Sequence, residues 1–354
     1  MKGIIGIVSI ISAATCLMAL AWPAQAEEKG LTVYNWADCI APEVIAEFEQ
    51  RFGVKVNYDV FESEQDMLVK LQSGASGYDL IFADVFSLEL LGQSGMLSEL
   101  DQRQIPNKIH LDERLLNQSF DPGNRYSLPY IINLGGIAYR ADRITVPVES
   151  WGILFDPQYA GRIVAWDIMR EVISATLKYL GYSVNSVNPD ELQAAKTLLL
   201  KQKSLLKAYT TFSLSHLEFF FTSDEADILY PDFQADVLYL NQKTNHTPPI
   251  VFVIPKEGTY KSLSSIVIPK GAPHPDLAHQ FINFLHDPQI NARNANYLMY
   301  PTPNKSALPY LDKTLREVTE TTLNLAQSVN IEYLKDLGAG QELWDTIWSE
   351  IKAE

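Results

Sequence analysis

Cysteine is nearly absent from this 354-residue chain, which holds only Cys16 and Cys39. Cys16 falls in an apolar leader, so the mature protein keeps one thiol and has no internal disulfide to staple a small core. No Cys pair, Gly-rich phosphate loop or serine-hydrolase elbow occurs, so nucleotide binding and the common nucleophile motifs have no basis here. Positive charge is scarce as well. Lys and Arg number 28 against 43 Asp and Glu, a formal charge of −15. This balance disfavours nucleic acid and acidic surfaces and favours cationic ligands, although an acidic surface also serves solubility. Internal repeats, low-complexity tracts and Gly/Ser linkers are missing. The six histidines show no metal-ligand spacing; His279 and His286 read as one solvated helix face, and no metal or cofactor is expected.

Residues 1–26 read as a secretory signal peptide. Lys2 supplies the charged start, Ile4 to Leu20 the apolar stretch and Ala24-Gln25-Ala26 the small-x-small cleavage site. An uncleaved anchor is the alternative, since the apolar run is nearly long enough to span a bilayer. Cleavage predicts a soluble protein exported to a bacterial periplasm. What remains is long enough for two domains with packed cores.

Short apolar runs alternate with helical periodicity, the pattern of an α/β protein. Leu31 to Trp36 is a strand. Pro42 to Phe52 then puts Val44, Ile45, Phe48 and Phe52 on one helical face, with Pro42 in the first turn and Gly53 past the end. Val54 to Val60 alternates as a strand, Ser63 caps a second helix, and Tyr78 to Phe82 is a buried strand that exits at Ala83-Asp84. Further strands are expected at Gly135–Tyr139, Arg162–Ala165, Lys207–Thr210, Asp227–Tyr230, Ile250–Ile254 and Ser264–Ile268. Helices are expected at Ile168–Leu180, Pro189–Lys201, Pro275–His286, Pro288–Tyr297 and twice in the tail. Two domains without a linker predict lobes joined by extended crossover strands, a hinge architecture.

Trp36 is the first candidate binding residue, because strand exits line the ligand crevice of α/β proteins and an indole face accepts a flat or cationic group. A Trp plugging the core is the competing reading. Asp84 stands at a second strand exit, where no helix end visibly needs it.

Seven strings in order carry a resemblance: VYNWADCIAP, YDLIFADVF, FDPGNRYSLPYIINLGGIAYR, REVISATLKYLGYS, PKEGTYKSLSSIVIP, INFLHDP and YPTPN. Together they resemble the periplasmic spermidine/putrescine (polyamine) binding proteins of ABC importers, over nearly the whole mature chain. The resemblance implies a two-lobed type II periplasmic binding fold. Lobe 1 is expected from residues 27–135 plus 263–305, and lobe 2 from 136–262 plus 306–354. It implies a monomer that captures a polyamine, diamine or related small cation between the lobes and hands it to an ABC permease of the inner membrane.

The same resemblance implies the site. Trp36 and Tyr300 match its stacking aromatics, and Glu171 matches a carboxylate that takes an ammonium group. Asp167 is the one acid kept of a pair before Arg170-Glu171-Val172, although it also reads as the N-cap of that helix. Glu171 also suits the positive end of the helix. Ser262 and Ser264 fall where a pocket Trp and Asp are common, Phe86 where a Tyr is common, and Phe233 or Tyr230 near a late pocket Trp. Asp84 is an added acid. The reduced acid count favours a short diamine over a long polyamine, since a buried ammonium left unpaired costs about 3–5 kcal/mol. Two other readings stay open: a sensor or partner-docking module with a changed ligand, and an exported enzyme using Cys39 as nucleophile.

Overall fold

The structure is a computed structural model that describes residues 30–244, 249–328 and 330–353. The signal peptide expected at residues 1–26 lies outside the described residues. The chain opens with β1 (Gly30–Trp36), α1 (Pro42–Phe52), β2 (Lys55–Phe61), α2 (Glu64–Gln72), β3 (Leu80–Ala83) and α3 (Val85–Gln93). Local signals explain these elements. Pro42 starts α1, and Gly53, at a φ of 62°, ends it where a side chain would be strained. The Ser63 hydroxyl accepts the Asp66 amide proton at 3.0 Å and caps α2.

After β4 (Ser127–Arg140) come β5 (Ile163–Trp166), α4 (Met169–Tyr179), α5 (Pro189–Lys203), β6 (Leu206–Thr210) and α6 (Leu214–Thr222). They are followed by β7 (Ile228–Phe233), α7 (Gln234–Thr244), β8 (Ile250–Val253) and β9 (Thr259–Val267). The chain closes with α8 (Pro275–Leu285), α9 (Pro288–Leu298), α10 (Lys313–Leu325), β10 (Ile331–Tyr333) and α11 (Gln341–Ala353).

The strands run in the order β2-β1-β3-β9-β4-β7-β5-β6, with β10 on β9 and β8 on β4. In each lobe a parallel group sits against antiparallel crossover strands. β1 is parallel to β2 and β3, and β5 is parallel to β6 and β7. The long β4 joins the two groups. Its residues 127–134 pair with β9, and from Gly135 onward it pairs with β7. At this changeover an added Cβ on Gly135 would lie 2.1 Å from the Tyr260 ring, so the ring rests on bare backbone. This is the two-lobed type II architecture with crossover strands.

Each lobe has its own core. In the first, Leu31, Val33, Val44, Phe48, Leu80, Phe82 and Phe281 are buried together, and Phe48 meets Phe281 edge-on at 4.7 Å. Burial of each such side chain contributes about 1.5–3 kcal/mol. In the second, Trp151, Ile163, Val172, Ile228 and Trp344 pack together. Both Trp rings keep a hydrogen bond, donating from Nε1 to the carbonyls of Gly258 and Ser186.

The tail from residue 306 packs in more than one place. Ala307, Leu311 and Leu315 pack on Ala292 and Ala295 of α9, and Leu323 joins Val85 and Ile132, because their apolar faces meet first-lobe elements. Leu337 and α11, through Trp344, Ile347 and Ile351, enter the second core. The histidines also differ from expectation: His279 and His286 are buried. His279 Nε2 accepts the Asp101 amide proton at 2.8 Å while Nδ1 faces the Pro275 carbonyl, so one neutral tautomer satisfies both.

Candidate ligand-binding cleft

Parallel strands deliver the chain to one end of each lobe, and the polar residues gather there. β1 exits at Trp36 and its neighbour β3 exits at Asp84. Trp36 is half-buried. Its ring meets Phe61 at 4.7 Å and borders the same apolar cluster as Phe86, so it is no core plug. The Tyr58 hydroxyl fixes its backbone by donating to the Trp36 carbonyl at 2.8 Å.

Asp84 is at the N-cap position of α3, a helix missed in the sequence, yet its side chain makes no capping bond. Its Oδ2 instead accepts from the Ser262 hydroxyl at 2.7 Å. Burial raises the Asp84 pKa, while the Ser262 and Ser264 hydroxyls favour its ionised form. Glu64, at the start of α2, joins this group. Its Oε1 accepts the Asp84 amide proton at 2.7 Å and its Oε2 accepts from the Ser87 hydroxyl. Burial, then the charges of Asp84 and Glu171, push the Glu64 carboxyl well above the usual range.

The second lobe supplies three more acids. Glu171 lies in the first turn of α4; burial pushes its pKa up to about 7, and the Asp84 charge adds to the rise. Asp232, late on β7, and Asp236, in the first turn of α7, are 1% and 2% exposed. Burial raises both pKa values, Asp236 to about 6, and the Asp236 charge pushes Asp232 further up. Asp236 Oδ1 accepts from the Tyr300 hydroxyl at 3.0 Å. Glu171 Oε2, Asp232 Oδ2 and Asp236 Oδ2 are buried with no donor from the rest of the protein, and Asp232 and Asp236 lie close enough to share a proton. The Tyr260 ring sits among these acids. Phe233 meets it edge-on at 6.2 Å, and the charges of Glu171, Asp232 and Asp236 add to burial in raising its pKa.

The charges of Asp84 and Asp236 both act on the Cys39 thiol, so the β3 exit and the first turn of α7 approach each other there. Of the expected residues, Trp36, Asp84, Phe86, Glu171, Tyr300, Ser262, Ser264 and Phe233 lie on or beside this wall. Asp167 does not. It is exposed, pairs with Lys352 of α11 at 2.8 Å, and leaves the N-cap position to Ile168. Tyr230 is a core residue whose hydroxyl donates to Gln202 Oε1 at 2.6 Å, which leaves the late aromatic position to Phe233. Glu64, Asp232, Asp236 and Tyr260 were missed. The signal for Asp232 was its place two residues past an expected strand end.

Chemically the cleft lacks positive charge. Among the described residues, only Arg170 offsets these acids, and it acts on Glu171 alone. The Arg170 guanidinium stacks 4.5 Å over Trp344 and donates to the Lys335 carbonyl, and burial lowers its pKa to about 10. Cys39 is no activated nucleophile: burial, then the charges of Asp38, Asp84 and Asp236, push its thiol up to about 12. A cation entering the cleft would find free carboxylate oxygens beside aromatic faces.

A family model described as bacterial extracellular solute-binding protein matches residues 43–321. The chain belongs to that family. It is 32% identical to a putrescine/agmatine-binding protein of Pseudomonas aeruginosa, over 94% of this chain and 93% of the relative. It is 31% identical to the spermidine/putrescine-binding periplasmic protein of Escherichia coli, over 91% of each. Among solved structures it superposes on the TpPotD lipoprotein of Treponema pallidum with a TM-score of 0.82 at 30% identity, covering 91% of this chain and 99% of that one. A spermidine/putrescine ABC transporter substrate-binding protein of Streptococcus pneumoniae gives a TM-score of 0.80 at 28% identity, covering 92% and 99%. These relatives are binding proteins of transporters, as the motif order implies, and neither the sensor nor the Cys39 enzyme reading is favoured. Among the described residues no helix is long and apolar enough to cross a membrane.

Proposed function

We propose that this protein is the periplasmic capture component of an ABC importer. It takes a small organic dication, a diamine or short polyamine, between its lobes and presents the closed form to an inner-membrane permease. It does so as a monomer, without catalysis. The observation that carries this reading is the set of buried carboxylate oxygens on Glu171, Asp232 and Asp236 that have no partner. A buried acid without a partner stays neutral or costs several kcal/mol, and an ammonium group relieves that cost. The names of the relatives point to the same ligand class. Lobes divided near residue 135 on β4 and residue 263 on β9 put Asp84 on one side and the three unpartnered acids on the other.

Calorimetric titration and thermal shift with putrescine, cadaverine, agmatine and spermidine test the proposal. At 100 times its Kd a ligand adds about 2.7 kcal/mol of stability, a readily measured rise in Tm. If none of the four raises Tm at millimolar concentration while the protein is folded, the cation reading fails.

A further inference from the structure

The N-terminus of α3 is capped from outside its own segment. Asp84 is in the N-cap position, but its carboxylate turns away to Ser262. An uncapped first turn leaves amide protons without partners, and residues such as Asp are preferred there because they satisfy them. Glu64 of α2 instead holds the start of the helix from outside, accepting from the amide of the N-cap residue Asp84 itself and from the Ser87 hydroxyl, as the acid of a capping box does. Ser63, immediately before it, caps α2 itself, so the dipeptide Ser63-Glu64 serves two helix starts. Glu64 is 4% exposed and both its oxygens are engaged, so it has no oxygen left for a ligand.

We propose that Glu64 is the positioning residue of the first-lobe half of the cation site. It pins the Asp84 backbone and the Ser87 side chain at the start of α3, and so sets where the Asp84 carboxylate stands in the cleft. The groups facing Glu64 are Asp84 at the β3 exit, Ser87 on α3 and Glu171 on α4. Facing two acids in a buried place, Glu64 is held as a neutral carboxyl, and in that form the Ser87 contact reverses: Oε1 still accepts the Asp84 amide proton while the protonated Oε2 donates to the Ser87 hydroxyl oxygen. Gln reproduces that pattern. The inference rests on the cation reading for its effect on affinity, but not for its effect on the turn.

Two readouts test it on the full mature protein: amide exchange of residues 84–88 without ligand, and putrescine affinity by calorimetry between pH 6 and 8. Glu64→Ala is expected to speed exchange and weaken putrescine, each by about tenfold or more, since it orphans a buried amide. Glu64→Gln is expected to restore both to within about threefold, with an unaltered pH profile of affinity. Should Glu64→Ala fail to fold, Ser87→Ala removes one of the two contacts and is expected to show a smaller change in the same direction. If Glu64→Gln weakens putrescine as much as Glu64→Ala while the turn stays protected, Glu64 acts by charge and the proposal is wrong. Unchanged exchange in Glu64→Ala also overturns it. If the wild type binds no amine yet Glu64→Ala still loosens the turn, the functional reading falls and the positioning of Asp84 stands.

Discussion

The two walls of the cleft carry acids in opposite states of provision. On the first lobe, Asp84 receives the Ser262 and Ser264 hydroxyls, and Glu64 receives an amide and a hydroxyl. On the second, Glu171, Asp232 and Asp236 each keep a buried oxygen without a donor. Donors supplied by the protein hold a carboxylate in place before any ligand arrives. Oxygens without donors are satisfied only when a cation comes. Under the proposed function the first wall orients and the second responds, and ligand affinity is concentrated on the side that looks worse in isolation.

The sharpest way to break this contrast is to neutralise the responding wall. Asp236→Asn or Asp232→Asn is expected to weaken diamine binding roughly 100- to 1,000-fold in calorimetry, the equivalent of about 3–4 kcal/mol. The same change is expected to raise the Tm of the ligand-free protein, because it removes a like charge from a buried pair. A destabilised, full-affinity variant would reverse the roles of the walls.

The next test is pH. Glu171 titrates near 7 and Asp236 near 6, above their ordinary values of 4.5 and 3.8. Between those limits the folded ligand-free protein holds more protons than the unfolded chain, so its stability falls as pH rises from about 4 to 7. Affinity runs the other way. A cation needs ionised acids, so binding weakens as pH falls below 7, by up to about tenfold per pH unit for each acid that must lose its proton. Melting curves with and without saturating diamine across pH 5–8 are expected to diverge as pH rises. Parallel curves would remove the responding wall from the account.

Milder changes sharpen the first wall. Ser262→Ala takes one donor from Asp84 and is expected to lower affinity by about 3- to 10-fold, the worth of one hydrogen bond. Asp167→Asn breaks only an exposed pair with Lys352. It is expected to leave affinity within about threefold and to change stability by less than about 1 kcal/mol. A large loss of affinity there would return Asp167 to the site.

Much of the frame was legible because its signals are local. Pro42 and Gly53 bracket α1, and Val44 and Phe48 fall at helical spacing on its buried face. Strand exits at Trp36 and Asp84 could be read for the same reason. The second wall was legible only at Glu171, and α7 shows why. Its inner face buries Ala235, Val237 and Leu240 together with Asp236, so the acid interrupts the apolar period that would mark a helix. In α3, buried Val85, Leu88 and Leu91 lie among Phe86, Leu90 and Gly92, which blurs the contrast between faces. Asp167 has a contact of the opposite kind. Its neighbours in sequence suggested a cap or a ligand contact, while its partner, Lys352, is 185 residues away and could be found only in three dimensions.

Gly135 gives the cleft a dimension that no side chain records. The Tyr260 ring occupies the volume where a methyl group would stand, and Phe233 and three acids are arranged around that ring. A single added carbon would act as a shim, lifting the ring and displacing the responding wall behind it. The gauge of this binding protein, the span between its two sets of acids, is thus cut partly by an atom left out of the crossover strand.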